Sequence, residues 1–169
     1  SMESVKTLVD QQFIEQISTS RTTSYSPPRD NTGEALIFGS VDLGIGTSNV
    51  MYTAATGTIT FNATGTYFIQ QSYLGAGGVE GNPYLLMKIL QNGATQVGPT
   101  ETFWWFSKVN AAKFNISIET MVNITTAGTY YNFWSCSPQD GGVATLEPQV
   151  TGGFGTDTPS AQLIISKLV

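Results

Sequence analysis

Apolar positions recur along this chain with two different periods. From Glu3 to about Ser18, Val5, Leu8, Val9, Phe13 and Ile17 fall three or four residues apart, with Lys6, Asp10, Gln11 and Glu15 mostly opposite. That spacing predicts a short amphipathic helix at the N-terminus. A helix this short is marginal alone in water, so its stripe needs a partner, either the body of the domain or copies of itself at the end of a trimeric stalk. Residues 19–33 (TSRTTSYSPPRDNTG) are rich in hydroxyls and carry Pro27-Pro28, which predicts an extended linker. Over 34–169 the period becomes two. Ile59 and Phe61 alternate with Thr58, Thr60 and Asn62, and Phe114, Ile116 and Ile118 alternate with Asn115, Ser117 and Glu119.

Ten strands are predicted there: Ala35–Val41, Val50–Thr53, Thr58–Asn62, Gly65–Tyr73, Tyr84–Gln91, Thr102–Ser107, Phe114–Ile124, Tyr130–Ser137, Ala144–Val150 and Ser160–Leu168. Turn sequences separate them, among them Asn62-Ala-Thr-Gly65, Gln91-Asn-Gly93 and Thr125-Thr-Ala-Gly128, and a longer glycine-rich loop lies around Gly75–Pro83. Many short strands at even spacing indicate an all-β, two-sheet jelly-roll sandwich, here preceded by the short helix. The last strand is apolar on both sides, since Ile164 interrupts the alternation of Ala161, Leu163 and Ile165 with polar residues, so its second face must be covered.

Composition narrows the chemistry. Of the 169 residues only 11% are charged, and the net charge is −5, which repels phosphate and argues against nucleic acid and anionic membrane as partners. There is no histidine, so the usual general base, the Ser-His-Asp and Cys-His arrangements and histidine metal sites are excluded. The single cysteine, Cys136, can form neither an internal disulfide nor a zinc cluster and reads as a small buried hydrophobe. Glu80, Glu101, Glu119, Asp140 and Glu147 are scattered without the pairing that glycoside hydrolysis needs. No catalytic residue, metal site or cofactor is expected, and no apolar run is long enough for a membrane-spanning helix. Ser1 ahead of Met2 reads as a cloning remnant on a piece of a longer protein.

One phrase occurs twice. Ile59-Thr-Phe-Asn-Ala-Thr-Gly-Thr-Tyr67 is a strand, a turn and a strand that starts with an aromatic two residues after glycine, and Met121-Val-Asn-Ile-Thr-Thr-Ala-Gly-Thr-Tyr130 repeats it. With Phe61, Gly65 and Tyr67 in the first hairpin, Gly128, Phe133 and Trp134 in the second and a terminal apolar strand, the chain resembles a known family. This is the globular-head jelly roll of complement subcomponents, tumour necrosis factor ligands and spore-surface collagen-like glycoproteins. The resemblance spans about Ala35 to Val169, and Thr129 stands where the family often has Asp. It implies a homotrimer with the terminal strand near the threefold axis. Leu163, Ile165 and Tyr130, with Val5 and Val9 of the helix, are the expected interface residues.

A helix and linker ahead of such a head, without collagen repeats, resemble a bacteriophage fibre tip on a virion surface, which attaches to a host glycan or protein. The expected ligand platform combines Trp104 and Trp105 of the Phe-Trp-Trp-Phe run with Tyr84, Glu80 and Asp140 in adjoining strands and loops. Adjacent strand residues point to opposite faces, so the two tryptophans cannot both enter one core. The competing readings are a structural decoration or spore-coat head without a receptor, a polysaccharide depolymerase and a monomeric carbohydrate-binding module. A solution mass of one chain would favour the last.

Overall fold

The computed structural model describes residues 1–4, 15–46, 48–77, 84–104, 112–136 and 144–168. Its twelve strands are β1 (Glu15–Arg21), β2 (Glu34–Ala35), β3 (Val41–Ile45), β4 (Val50–Thr53), β5 (Thr58–Phe61), β6 (Gly65–Gly77), β7 (Tyr84–Gln91), β8 (Thr95–Trp104), β9 (Ala112–Ile124), β10 (Gly128–Cys136), β11 (Ala144–Leu146) and β12 (Ala161–Lys167). They form two antiparallel six-stranded sheets. Sheet A runs β3-β1-β12-β6-β9, with β11 end to end with β12 along the same edge of β6. Sheet B runs β4-β5-β10-β7-β8, with β2 beside β5 on β10. This is the expected jelly-roll sandwich.

Between the sheets lies one core whose largest fully buried side chains are Trp134, Tyr67, Tyr130 and Phe61. The duplicated phrase builds the same corner twice. Gly65 (φ 141°) and Gly128 (φ 151°) take backbone conformations that favour glycine at the start of β6 and β10. Two residues later, Tyr67 OH donates to Ala63 O (2.8 Å) and Tyr130 OH donates to Thr126 O (2.6 Å). Both rings meet Phe61 edge-on, at 4.6 and 5.0 Å between centroids. One corner belongs to sheet A and the other to sheet B, so a sequence repeat becomes a matched pair of braces across one aromatic side chain.

Four expectations change. Residues 2–4 are helical, residues 5–14 lie outside the described residues, and the predicted end of the helix, 15–18, is β-strand. Ile17 and Thr19 point into the core while Gln16, Ser18 and Ser20 point out, a period of two that a longer helical pattern had masked. The expected linker is instead a strap fixed to the domain. The Arg21 guanidinium donates to Thr23 O, Ser24 O and Ile37 O, Tyr25 bridges to Leu146, and the Cys136 amide donates to Pro28 O. The predicted strand 35–41 is broken because the chain crosses there from one sheet to the other. The Leu36 amide donates to Asn132 O in sheet B and the Gly39 amide to Ser20 O in sheet A, with Leu36 and Phe38 plugging the core between them. Finally, β8 begins at Thr95, seven residues ahead of its expected start. Asn92 (φ 51°) and Gly93 (φ 70°) make the predicted tight turn, and the chain pairs back on β7 at once.

The burial of tyrosines sets an alkaline limit. Desolvation raises Tyr73 and Tyr25 far above the ordinary 10.0, helped at Tyr25 by the Glu34 carboxylate, and it also raises Tyr52, Tyr67 and Tyr130. These folded-state values lie above the unfolded ones. The stability they contribute is therefore fully present below about pH 10 and is lost as the pH rises beyond it. Urea midpoints are expected to hold flat up to that point and then fall. Tyrosinate absorbance from these five rings should emerge together with unfolding, and its appearance while the fold is intact would contradict this account.

Candidate functional site

Two outward surfaces carry groups that the core does not use. On sheet B, inward Phe103 stacks on core Trp134 (5.8 Å, 24°), so its neighbour Trp104 points out and is 53% exposed. Its cross-strand partner Tyr84 lies against it, with ring centroids 4.0 Å apart and an interplanar angle of 34°. Along the same face, Leu86 and Thr102 pair next, followed by Lys88, which pairs with outward Phe133. Lys88 lies four steps along β7 from Tyr84, roughly 13 Å at strand rise.

At the Lys88 end, a cavity of about 110 Å³ opens between β7, β10 and the strap, lined among others by Asp30, Gly33, Lys88, Thr100 and Phe133. Its wall is held rigidly. Asp30 Oδ1 accepts from the amides of Thr32 (3.0 Å) and Gly33 (2.8 Å) and from Thr32 Oγ1 (2.9 Å), and Ser135 Oγ donates to Asp30 O. The backbone donor of Gly33, the Thr32 hydroxyl and the Thr32 amide hold the Asp30 carboxyl below its ordinary range. Chemically the strip is an aromatic step followed by a mixed polar hollow with one ammonium. It suits stacking of a ring and hydrogen bonding to hydroxyls.

The second surface is the outward face of sheet A. Strand register aligns Ile45, Gln16, Ser166, Phe68 and Met121 in one row across the sheet. The next row holds Leu43, Ser18, Ile164, Gln70 and Glu119. Leu43 is 53% and Met121 64% exposed, and Ile45 and Leu168 are also exposed. Between this second row and the one beyond it, which holds Gln162, Ser72 and Ser117, lies a shallow hollow of about 200 Å³ lined by serine and glutamine with Ile164 and the Glu119 carboxylate. Large apolar side chains among neutral amides and hydroxyls, with little charge, have the character of a protein–protein contact.

The sequence-expected residues divide between these places. Trp104 and Tyr84 come together, as stated, on sheet B. Trp105, Glu80, Asp140, Val5 and Val9 lie outside the described residues. Leu163, Ile165 and Tyr130 are corrected: they are 1%, 0% and 2% exposed, filling the sandwich of their own chain. A second copy cannot touch them. Their strand does face outward, but through Ile164, and the apolar cover on that face comes from Leu43, Ile45, Phe68 and Met121. Sequence reasoning missed β3, although Val41-Asp-Leu43-Gly-Ile45 alternates clearly. The signal was there in five residues, obscured by assigning Val41 to the preceding strand.

No known protein family matches the chain, and no curated protein does. Solved structures do. The globular domain of the zebrafish complement 1qA protein is similar with a TM-score of 0.49 at 14% identity, over 90% of this chain and 94% of that one. Murine APRIL, in a crystal structure at pH 5.0, is similar with a TM-score of 0.57 at 11% identity, over 92% of this chain and 99% of that one. The fold is the tumour necrosis factor-like jelly roll. At such identities the likeness extends to architecture and not to any binding residue.

Proposed function

We propose that this chain is the homotrimeric distal head of a viral fibre, of bacteriophage type, that attaches a particle to a host surface receptor and catalyses no reaction. The observation that carries the reading is the outward face of sheet A. Leu43, Ile45 and Met121 stand exposed there beside half-buried Phe68 and Ile164, a patch that a solitary domain leaves in water and a trimer covers. The jelly-roll fold supports the same arrangement. Receptor contact belongs to the opposite sheet, on the Trp104–Tyr84 step and the strip leading to Lys88, which stays open when sheet A is covered. Three such strips on one head, at an extracellular virion surface, multiply weak affinities for a glycan or protein without new contacts.

Light scattering on a sizing column tests the assembly, with three chains per particle expected and a single chain contrary to it. A host-cell or glycan-array assay tests attachment. Trp104→Ala is expected to leave thermal stability within about 0.5 kcal/mol, because the side chain is half in water, while lowering receptor binding at least tenfold. A trimer with no saturable binding would point to the structural decoration reading instead.

A further inference from the structure

Phe154 is 96% exposed and Val150 68%, and with Met2 they are the three most exposed large apolar residues among those described. They sit on a braced arm, residues 147–160, between β11 and β12. Gln149 and Thr158 exchange both backbone hydrogen bonds (3.0 and 2.9 Å). The Thr151 amide donates to Asp157 Oδ1 (3.1 Å) and Thr151 Oγ1 to Gly155 O (2.8 Å) around a single 3₁₀ turn, Gly152–Phe154. The exposure of the ring is thus enforced by hydrogen bonding.

The direction of the arm follows from its root. The Glu147 amide donates to Leu74 O and the Leu74 amide to Ser160 O, so both ends meet at one residue of β6 whose side chain faces outward. Lys113, on the outward row of β9, donates from Nζ to Pro148 O (2.8 Å) and Gln149 Oε1 (2.9 Å). The arm therefore rises from the outward face of sheet A, the face that also contains the 200 Å³ hollow. A protrusion and a hollow on the same chain let each copy insert into the next, and such head-to-tail contacts form a ring when their rotation closes.

We infer that the arm of each copy docks in the hollow of its neighbour, with the Phe154 ring over Ile164. A volume of about 150 Å³ accommodates a benzene ring, so the hollow is large enough. The fit is also polar. Gly152, Gly153 and Gly155 have nothing within 4 Å of a would-be Cβ, so a neighbour can approach their backbone closely, and Ser18, Gln70, Ser72, Ser117 and Gln162 around the hollow supply donors and acceptors to meet it. This inference rests on the trimeric reading and specifies its lock.

Phe154→Ser and Ile164→Glu test it on the full chain by light scattering across a dilution series, with circular dichroism verifying the fold. The expected result is a wild-type trimer and, for both variants, a midpoint of dissociation at least about tenfold higher in concentration, with unchanged secondary structure. A trimer equally resistant to dilution in both variants overturns the docking while leaving the trimeric reading intact. A trimer weakened only by Ile164→Glu overturns it too, because Phe154 would then point elsewhere, as toward a receptor. A wild-type monomer overturns both.

Discussion

Replacing Asn132 with leucine is expected to cost about 3 kcal/mol of unfolding free energy, and with roughly 2–4 °C per kcal/mol for a chain of this size, about 6–12 °C in the thermal midpoint. Asn132 Nδ2 donates to Gln71 Oε1 (2.7 Å) and to Tyr73 OH (3.3 Å), while its Oδ1 accepts from Trp134 Nε1. Tyr73 OH also donates to Gln71 Oε1. Gln71 and Tyr73 belong to β6 in sheet A, and Asn132 and Trp134 to β10 in sheet B, all four at 3% exposure or less. The network is therefore a polar bolt through an apolar core. Leucine fills the space but orphans the indole N–H and removes one donor from the Gln71 amide oxygen, in a place water cannot reach. An unmade bond there costs more than the bond contributes when made. Urea denaturation of the variant checks this, and a loss below 1 kcal/mol would mean that the four groups have other partners.

Phe61→Ala is expected to be the most damaging single truncation, at about 4 kcal/mol, in the range for buried aromatics. Phe61 is 1% exposed and sits between Tyr67 and Tyr130, contacting both edge-on. Its removal leaves a cavity that neither tyrosine can collapse into, since each is held by its hydroxyl to a carbonyl four residues back. Relaxation would break one of those hydrogen bonds, so cavity and hydrogen bond are lost as alternatives. A double-mutant cycle with Tyr130→Phe should show coupling, because freeing that ring lets it lean into the gap. Purely additive losses would count against this picture.

The corners were legible in the sequence, since the repeated Gly-Thr-Tyr phrase carries both the turn and the aromatic that braces it. The strands from Val50 onward were largely legible as well, through alternation and the Asn92-Gly93 turn. The misplacements share a cause. At Glu15–Arg21 two alternating inward residues, Ile17 and Thr19, were too few to outweigh the helical spacing before them, and the partner that makes them a strand lies at the far end of the sequence. Leu163, Ile165 and Tyr130 were assigned to an interface because alternation identifies two faces without saying which one meets the opposite sheet. The sheet A hollow and the outward direction of the 147–160 arm depend on lateral strand order, which no local pattern encodes.

The pairing of β1 with β12 has a kinetic corollary. Glu15 lies opposite Lys167, so the earliest described strand hydrogen-bonds to the latest. β3 pairs locally with β1, and this two-stranded ribbon joins the rest of sheet A only through β12, once residues 161–167 have been synthesised. A chain that must close a loop of this length before β1 docks into its sheet belongs among slow, high-contact-order folders. In the interval, the apolar flank of β6 stands open on the edge that β12 will occupy. Nascent copies held close together on neighbouring ribosomes can exchange terminal strands there, so that synthesis at low temperature and low density favours the correctly closed sandwich.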